Sequence, residues 1–282
     1  MRVLTNINSL NQLLESSRNS NKSIGFVPTM GALHEGHLSL VKLAQKDCDV
    51  VVCSIFINPT QFNDSNDLEN YPITIEEDIK LLEEQSCDIL FQPNVTEMYP
   101  EGLNTKQYLL NGIDKVLEGR KRPGHFDGVC TIVHRLFSIV RPQIAYFGEK
   151  DFQQVAVIRQ MVNSLSLPIQ IKTGKTIRDN DGLAKSSRNT LLSITQRKKA
   201  TYVYASLQKI KSLFSKVDCA QLKEMIKNDI NQVQEMRLDY VEIVNPYNFK
   251  PLQGQADNDE AIAVIAVFLG KVRLIDNLSL ND

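Results

Sequence analysis

The chain has 282 residues, of which 42% are hydrophobic, and its 33 acidic residues nearly balance 32 basic ones for a net charge of −1. This length suits two domains of roughly 100–200 residues each, and the balanced charge argues against a nucleic-acid partner. The longest apolar runs, at 50–57 and 261–269, are too short to span a bilayer, so no membrane partner is expected. The five cysteines are scattered and never form a CxxC pair, which favours reduced thiols and a cytoplasmic location.

Short apolar runs alternate with helical patterns over the first 176 residues. The predicted strands are 24–27, 50–57, 88–92, 143–147 and 169–172, and the predicted helices between them are 38–46, 74–85, 127–139 and 152–165. Continuous Val/Ile runs such as VVVCSIFI are typical of buried parallel strands. The alternation therefore predicts an α/β domain built on an open parallel sheet, with ligands bound beyond the carboxyl ends of its strands.

The pattern changes after residue 176. A polar loop at 178–189 precedes predicted helices at 195–214 and 220–236 and predicted strands at 239–244, 261–269 and 272–275. Helices followed by short strands indicate a second, smaller α+β domain. The predicted domains are therefore 1–176 and 177–282.

The segment PTMGALHEGH follows the first predicted strand and leads into the first predicted helix. His34 and His37 are three residues apart and share one face of that helix. The first N–H groups of a helix lack partners and attract anions, so the segment predicts a site for nucleotide phosphates. The alternatives are two surface histidines, or a zinc site for which no third His or Cys lies nearby.

Two later segments also follow predicted strands. FINPTQF offers the amides of Asn58 and Gln61, which could hold a small polar ligand, although an ordinary Asn-Pro turn explains the same residues. In FGEKDFQQ, the ammonium of Lys150 could reach a triphosphate. The alternative is a helix start capped by Asp151, and both interpretations can hold together.

Two polar segments carry clustered cations. In DGLAKSSRN, hydroxyl groups and Arg188 can hold phosphate oxygens, although the segment could equally be a flexible linker between domains. The cluster RKRPGHF could attract an anionic substrate or form a solvated loop. No GxGxxG occurs, and the GKT at 174–176 lacks the earlier glycine of a P-loop, since position 169 is Ile.

These segments occur in one order with YP (71–72), RPGHFDGV, YVEIVNP and RLIDN. The ordered set covers 28–277 and resembles the pantoate–β-alanine ligases (pantothenate synthetases) of the HxGH nucleotidyltransferase superfamily. The resemblance implies a Rossmann-like domain at 1–176 that binds nucleotide and pantoate. It further implies that the domain at 177–282 closes over the ATP site, and that the protein is a homodimer.

The reaction that the resemblance implies is the ATP-dependent condensation of (R)-pantoate with β-alanine, in pantothenate and coenzyme A biosynthesis. The pantoate carboxylate attacks the α-phosphate of ATP and gives pantoyl adenylate and pyrophosphate. The amine of β-alanine then displaces AMP. Mg²⁺ is expected to bridge phosphate oxygens.

The resemblance also implies residue roles. ATP contacts are implied for Met30, Gly31, Ala32, Leu33, His34, Glu35, Gly36, His37, Gly148, Glu149, Lys150, Asp151, Ile177, Lys185, Ser186, Ser187 and Arg188. Among them His34, His37, Lys150 and Arg188 are expected to act in catalysis, with His37 as proton donor. Lys185 stands where the family usually has Met, so its backbone is expected to contact ATP while its side chain either faces solvent or reaches phosphate.

The remaining implied contacts concern the acid, the amine and the metal. Gln61 is expected to contact pantoate and β-alanine, Gln154 to contact pantoate, and Asn58 to complete this amide set. Glu77 and Asp78 correspond to carboxylates near the metal. Two alternatives stay open: an HxGH nucleotidyltransferase acting on a phosphate or nucleotide acceptor, and a nucleotide-binding regulator without turnover.

Overall fold

The computed structural model describes residues 1–254 and 260–281. Residues 255–259 and 282, which belong to the predicted second domain, lie outside the described residues. The chain divides into two compact units, Met1–Thr176 and Ile177–Asp282.

Strands and helices alternate in the first unit. Its strands are β1 (Arg2–Leu4), β2 (Ile24–Thr29), β3 (Val50–Ile55), β4 (Ile89–Phe91), β5 (Ile144–Gly148) and β6 (Gln170–Gly174). Its helices are α1 (Ile7–Asn19), α2 (Glu35–Asp47), α3 (Ser65–Glu69), α4 (Ile75–Glu84), α5 (Val95–Met98), α6 (Leu117–Lys121), α7 (His125–Val140) and α8 (Phe152–Ser164). Short 3₁₀ turns lie at Pro59–Gln61, Ile113–Lys115 and Glu149–Asp151.

The strands form one parallel sheet in the order β1-β4-β3-β2-β5-β6. The chain runs outward from β2 through β3 and β4 on one side, and through β5 and β6 on the other. The strand order therefore reverses between β2 and β5, and such a switch point is where open α/β sheets bind their ligands. The predicted Rossmann-like parallel sheet is confirmed.

Both faces of this sheet are covered. Alternate residues of a strand point to opposite faces, so Phe26 and Val52 lie in one core while Val27 and Val51 lie in the other. Residues of α1, α7 and α8 complete the first core, and residues of α2 and α4 complete the second. Because β3 is buried on both faces, its run of apolar residues is nearly continuous.

The second unit is an α+β arrangement, as predicted. Its elements are a 3₁₀ turn (Ser187–Leu191), α9 (Ile194–Lys199), α10 (Thr201–Leu213), α11 (Cys219–Asn231), β7 (Met236–Val244), β8 (Ile262–Leu269) and β9 (Val272–Ser279). The strands form an antiparallel sheet in the order β7-β8-β9. Buried apolar residues of α10 and α11 share one core with this sheet.

The first strand and helix were not among the predicted elements. β1 has three residues, two of them exposed, and lies at the sheet edge, so it carries no alternating pattern to detect. α1 starts at a capping residue, because Asn6 Oδ1 accepts a hydrogen bond from the N–H of Ser9 (2.8 Å). It buries Leu10 and Leu14, which are one turn apart on a single face.

Three predicted helix boundaries are wrong. The helix expected at 38–46 begins earlier, at Glu35, and the helix expected at 195–214 is divided at Ala200 into α9 and α10. The helix expected at 220–236 ends at Asn231, because Glu235 adopts a left-handed φ of +69° and turns the chain into β7. Among the described residues, no helix is long and apolar enough to cross a membrane.

Candidate active site

The HxGH segment lies at the carboxyl end of β2, beside the switch point of the sheet. Thr29 ends this strand, and its Oγ1 donates a hydrogen bond to the carbonyl oxygen of Ser54 at the end of β3 (2.7 Å). Gly31 and Ala32 follow with left-handed φ values of +82° and +48°. Glycine adopts this conformation freely but alanine does not, so the tight turn needs support from its surroundings.

The two histidines of the motif cap helix α2. His34 is the N-cap residue, and its Nδ1 accepts a hydrogen bond from the N–H of Gly36 (3.1 Å). In return, Nδ1 of His37 accepts a long hydrogen bond from the N–H of His34 (3.4 Å). The ring centroids are 4.0 Å apart. This is a capping box in which imidazoles replace the usual hydroxyl and carboxylate.

Gly36 leaves room for this arrangement. A Cβ on Gly36 would lie 2.8 Å from Cε1 and 2.9 Å from Nδ1 of His34. These separations are shorter than van der Waals contact, so any larger residue would displace the His34 ring from its cap. The glycine between the two histidines is therefore required by the position of the first imidazole.

The capping bonds fix the protonation of both rings. A ring nitrogen that accepts an N–H bond carries no proton, so His34 and His37 hold theirs on Nε2. Burial lowers the pKa of His37 to about 4; the charge of Asp151 opposes this shift and that of Lys150 adds to it. His37 is therefore a neutral Nε2–H donor at pH 7, and the charges of Lys150 and Asp151 lie near enough to act on it.

Asp78 lies beneath the turn that precedes these histidines. It is 1% exposed, and its Oδ2 and Oδ1 accept hydrogen bonds from the N–H groups of Ala32 (2.9 Å) and Leu33 (2.7 Å). The hydroxyl of Thr74 also donates to Oδ1 (3.1 Å). Burial raises the pKa of Asp78, although these three hydrogen bonds act in the opposite direction. The carboxylate thus supports the left-handed turn, and it occupies the N–H groups of Ala32 and Leu33, two residues for which ATP contacts are implied.

The metal contact predicted at Glu77 and Asp78 stays a prediction. Both oxygens of Asp78 are already hydrogen-bonded to the protein, and Glu77 is exposed on the first turn of α4. In the described part of the chain, no three His, Cys, Asp or Glu residues are grouped so that they could hold a metal ion. The carboxylates of the described residues therefore do not form by themselves a protein cage for Mg²⁺.

The segment after β5 lies on the other side of the switch point. Gly148 ends β5, and the 3₁₀ turn Glu149–Asp151 leads into α8. Lys150 Nζ lies 3.4 Å from Asp151 Oδ1, and Glu149 Oε1 accepts a hydrogen bond from the hydroxyl of Thr173 on β6 (2.9 Å). Asp151 precedes the helix as predicted, but its side chain makes no capping hydrogen bond.

Asn58 and Gln61 form a buried amide pair after β3. The amide nitrogen of Asn58 donates to Gln61 Oε1 and to the carbonyl oxygen of Gly128 (both 3.2 Å). Its Oδ1 accepts from the hydroxyl groups of Thr60 (3.1 Å) and Tyr99 (2.7 Å). An amide has two donor hydrogens and two acceptor lone pairs, so Asn58 is fully used by the protein. The structure therefore makes Asn58 a support for Gln61 and leaves it no hydrogen bond to offer a ligand.

The two adjacent glutamines at the start of α8 differ in their surroundings. Gln153 is 5% exposed and joins neighbouring segments, because its Nε2 donates to the carbonyls of Ile113 (2.6 Å) and Val116 (2.9 Å). Gln154 is half-buried, and its amide has no hydrogen-bond partner among the described residues. Of the pair, Gln154 is the one whose amide can bind a ligand.

The remaining predicted ATP contacts belong to the second unit. Residues 178–189 are held by hydrogen bonds, which contradicts the flexible-linker interpretation. Arg178 and Ala184 pair in an isolated antiparallel β-bridge, and the N–H of Lys185 donates to the carbonyl of Ile177 (2.9 Å). Lys185 pairs with Asp179 at 2.6 Å. Ser186 caps the next 3₁₀ turn, which contains Ser187 and Arg188, by accepting the N–H of Arg188 (3.4 Å).

Comparisons with known proteins cover the whole chain. The family model for pantoate-beta-alanine ligase matches residues 2–279. The pantothenate synthetase of Fervidobacterium nodosum is 45% identical, and that of Porphyromonas gingivalis is 43% identical, each over the full length of both chains. The crystal structure of pantothenate synthetase from Thermus thermophilus superposes with a TM-score of 0.92 at 41% identity over 100% of both chains. Pantoate-beta-alanine ligase from Francisella tularensis, crystallised with beta-gamma ATP and beta-alanine, has a TM-score of 0.83 at 38% identity and covers 100% of this chain and 98% of that one.

Proposed function

Because this chain belongs to the pantoate–β-alanine ligase family, and so joins pantoate to β-alanine with ATP, we propose that its reaction passes through a pantoyl adenylate. A carboxylate is a poor acyl donor to an amine until its oxygen becomes part of a good leaving group. Adenylation supplies that leaving group. The family assignment removes both alternatives considered above, the nucleotidyltransferase with a phosphate acceptor and the regulator without turnover.

In the first step, a pantoate carboxylate oxygen attacks the α-phosphorus of ATP and pyrophosphate leaves. An anion approaches a polyanion, so hydrogen-bond donors must offset the repulsion and the charge that develops on the phosphate oxygens. We assign this work to the Nε2–H groups of His34 and His37. The observation that supports the assignment is the capping box, since each Nδ1 that accepts a backbone N–H leaves the ring proton on Nε2. His37 then acts as a neutral hydrogen-bond donor toward the leaving pyrophosphate.

Cations complete the proposed phosphate site. Lys150 follows β5 at the switch point, and its positive charge acts on the His37 ring. Ser186, Ser187 and Arg188 are proposed to bind phosphate oxygens when the second domain closes over ATP. Lys185 is proposed to contribute its backbone, because its ammonium already pairs with Asp179.

The acid and the amine are proposed to bind at Gln61 and Gln154. Gln61 Oε1 accepts a hydrogen bond from Asn58, so its amide nitrogen faces away from Asn58 and can donate to a carboxylate. In the second step the neutral amine of β-alanine attacks the acyl carbon, the bond between that carbon and the bridging oxygen breaks, AMP leaves with the oxygen, and the nitrogen releases one proton to the AMP phosphate or to water. Correct placement of the reactants can supply effective molarities of about 10⁵–10⁸ M, so this step needs no dedicated base if the amine binds neutral.

Mg²⁺ is proposed to enter with ATP. A magnesium ion in such sites is bound by one or two carboxylates together with substrate phosphates, and it keeps several waters. Exposed Glu77 is the one member of the predicted pair whose carboxylate the turn does not use. We assign no chemical step to the ion.

Transfer of an oxygen atom tests the adenylate. Pantoate labelled with ¹⁸O in its carboxylate should give AMP that carries one labelled oxygen, because the oxygen that attacks phosphorus stays with the nucleotide. Mass spectrometry of the released AMP measures this transfer. Unlabelled AMP, or label found in orthophosphate alone, would reject the adenylate route.

Two broader proposals come with the family. A homodimer is proposed on family grounds, and analytical ultracentrifugation of the purified protein tests it, since a monomer at micromolar concentration would contradict it. A cytoplasmic location is supported by the five cysteines, which are all free thiols.

A further inference from the structure

The start of helix α7 is packed tightly against the turn that carries Gln61. A Cβ on Gly128 would collide with the carbonyl oxygen of Thr60 and the backbone nitrogen of Gln61. The carbonyl of Gly128 also accepts the hydrogen bond from Asn58. The RPGHFDG segment therefore lies directly against the Pro59–Gln61 turn, with no room for a side chain at position 128.

His125 makes the central contact in this region. It is 7% exposed, and its Nδ1 lies 2.8 Å from the carbonyl oxygen of Gln61. On the opposite side of the ring, Nη1 of Arg122 lies 3.2 Å from Nε2. A guanidinium can only donate and a carbonyl can only accept, so both contacts require a neutral ring with its proton on Nδ1. Hydrogen bonds therefore run from Arg122 through His125 to the Gln61 carbonyl, which also accepts a longer hydrogen bond directly from Nη2 of Arg122 (3.5 Å).

Gln61 is held at its backbone and at its side chain. His125 binds the carbonyl, Asn58 binds Oε1, and the amide nitrogen points toward Sδ of Met30 in the HxGH turn (2.8 Å). The amide nitrogen of Gln61 therefore lies beside Met30, in the segment proposed to bind ATP.

We propose that His125, oriented by Arg122, is a positioning residue that sets where the Gln61 amide meets the acid or the amine. The inference rests on the proposed role of Gln61 in substrate binding. It gives the RPGH segment a function different from the attraction of an anionic substrate predicted for its basic cluster. The Arg122 guanidinium is turned inward against His125, and the exposed members of the cluster are Arg120 and Lys121.

Two substitutions of one histidine separate the two contacts. The amide nitrogen of asparagine reaches the place of Nδ1, so His125→Asn keeps a donor for the Gln61 carbonyl and loses the contact with Arg122. The longer glutamine brings its amide to the place of Nε2, so His125→Gln keeps the contact with Arg122 and loses the short hydrogen bond to the Gln61 carbonyl, which then keeps only the longer one from Arg122 Nη2 (3.5 Å). The matched control is His134→Asn on the same helix, where the imidazole contacts the hydroxyl of Tyr108.

The readout is the steady-state KM of each substrate, with circular dichroism to show that the variants fold. His125→Gln should raise the KM for pantoate or β-alanine by roughly three- to tenfold, the effect of one neutral hydrogen bond, with little change in the KM for ATP. His125→Asn should recover most of that loss, and His134→Asn should resemble the unmodified enzyme. Equal effects of the two His125 variants, or equal changes in all three KM values, would overturn the positioning role.

A Gln61→Ala variant separates this inference from the function on which it rests. If Gln61→Ala raises the KM for pantoate or β-alanine and His125→Gln does not, the positioning role is wrong and the substrate site stands. If Gln61→Ala leaves both KM values unchanged, the assignment of Gln61 to the substrate site is itself wrong, and the inference falls with it.

Discussion

Asp78→Asn tests whether this carboxylate supports the HxGH turn or binds a metal ion. Asparagine has nearly the same shape but one acceptor oxygen in place of two, so either Ala32 N–H or Leu33 N–H would face the amide nitrogen, another donor. A hydrogen bond to a charged group contributes about 1.5–3 kcal/mol, and a buried N–H without an acceptor costs a further ~1–3 kcal/mol. Asparagine also removes a buried negative charge, and this offsets part of the loss in stability, because burial disfavours the charged carboxylate and raises the pKa of Asp78. We expect a net loss of about 2 kcal/mol in the free energy of unfolding.

Urea unfolding at pH 7 measures that loss, and amide hydrogen exchange at residues 32 and 33 locates it. Activity should fall through a higher KM for ATP, while the half-saturating Mg²⁺ concentration stays the same, because the turn and not the ion is affected. Glu76→Gln is the matched control, since it removes one negative charge from an exposed position on the same turn of α4. The reasoning fails if Asp78→Asn is as stable as this control, or if its main effect is a greater requirement for Mg²⁺.

Three further predictions follow from the described contacts. Gly36→Ala should lower kcat/KM for ATP by about tenfold or more, because the added Cβ displaces the His34 ring. The thermal unfolding temperature should change little, because alanine has a higher helix propensity than glycine. Unchanged kinetics would contradict the proposed role of the capping box. The pKa of His125 falls from 6.5 to about 4 on folding, chiefly through burial, so the unfolded chain binds the extra proton between these pH values. The stability that neutral His125 contributes is therefore complete above pH 6.5, and up to about 3 kcal/mol of it is lost as pH falls to 4. Urea unfolding at several pH values should find that the free energy of unfolding depends less on pH in His125→Asn than in the unmodified protein. The same pH dependence in both proteins would contradict this. In the second unit, Asp276→Asn should cost about 3 kcal/mol in urea unfolding, because Asp276 is 4% exposed and pairs with Arg178 at 2.5 and 3.0 Å; a change below about 0.5 kcal/mol would contradict it.

The fold was predictable where burial leaves a pattern in the sequence. All six residues of β3 are buried, and their continuous apolar run identified the strand directly. β1 was not predicted, because three residues at a sheet edge are too few to show an alternating hydrophobic pattern. The division of the helix predicted at 195–214 was not predicted from the sequence, for a different reason. Ala200 is a good helix former in an αR conformation, so nothing in its residue type signals that α9 ends there.

The candidate site was predictable where its residues follow strands. The two histidines and Lys150 were expected at carboxyl ends of strands, and the sheet order brings those ends to one switch point. Their chemical roles stay predictions. The supports were not predictable, since the Asp78 carboxylate binds a turn 45 and 46 residues earlier and His125 binds a carbonyl 64 residues earlier. Such contacts depend on packing that a local pattern does not record.

The same imidazoles serve the fold and the proposed chemistry, and this explains why the motif uses histidine. A Ser-x-x-Glu sequence would cap α2 equally well, but its carboxylate has no donor, and its hydroxyl hydrogen rotates about the C–O bond and is not directed by the cap. An imidazole has two nitrogens on opposite sides of a rigid ring. Nδ1 of His34 and of His37 accepts a backbone N–H, which fixes the ring and assigns the proton to Nε2. Helix capping thereby sets the direction and the protonation of the groups proposed to meet the phosphates, before any nucleotide arrives.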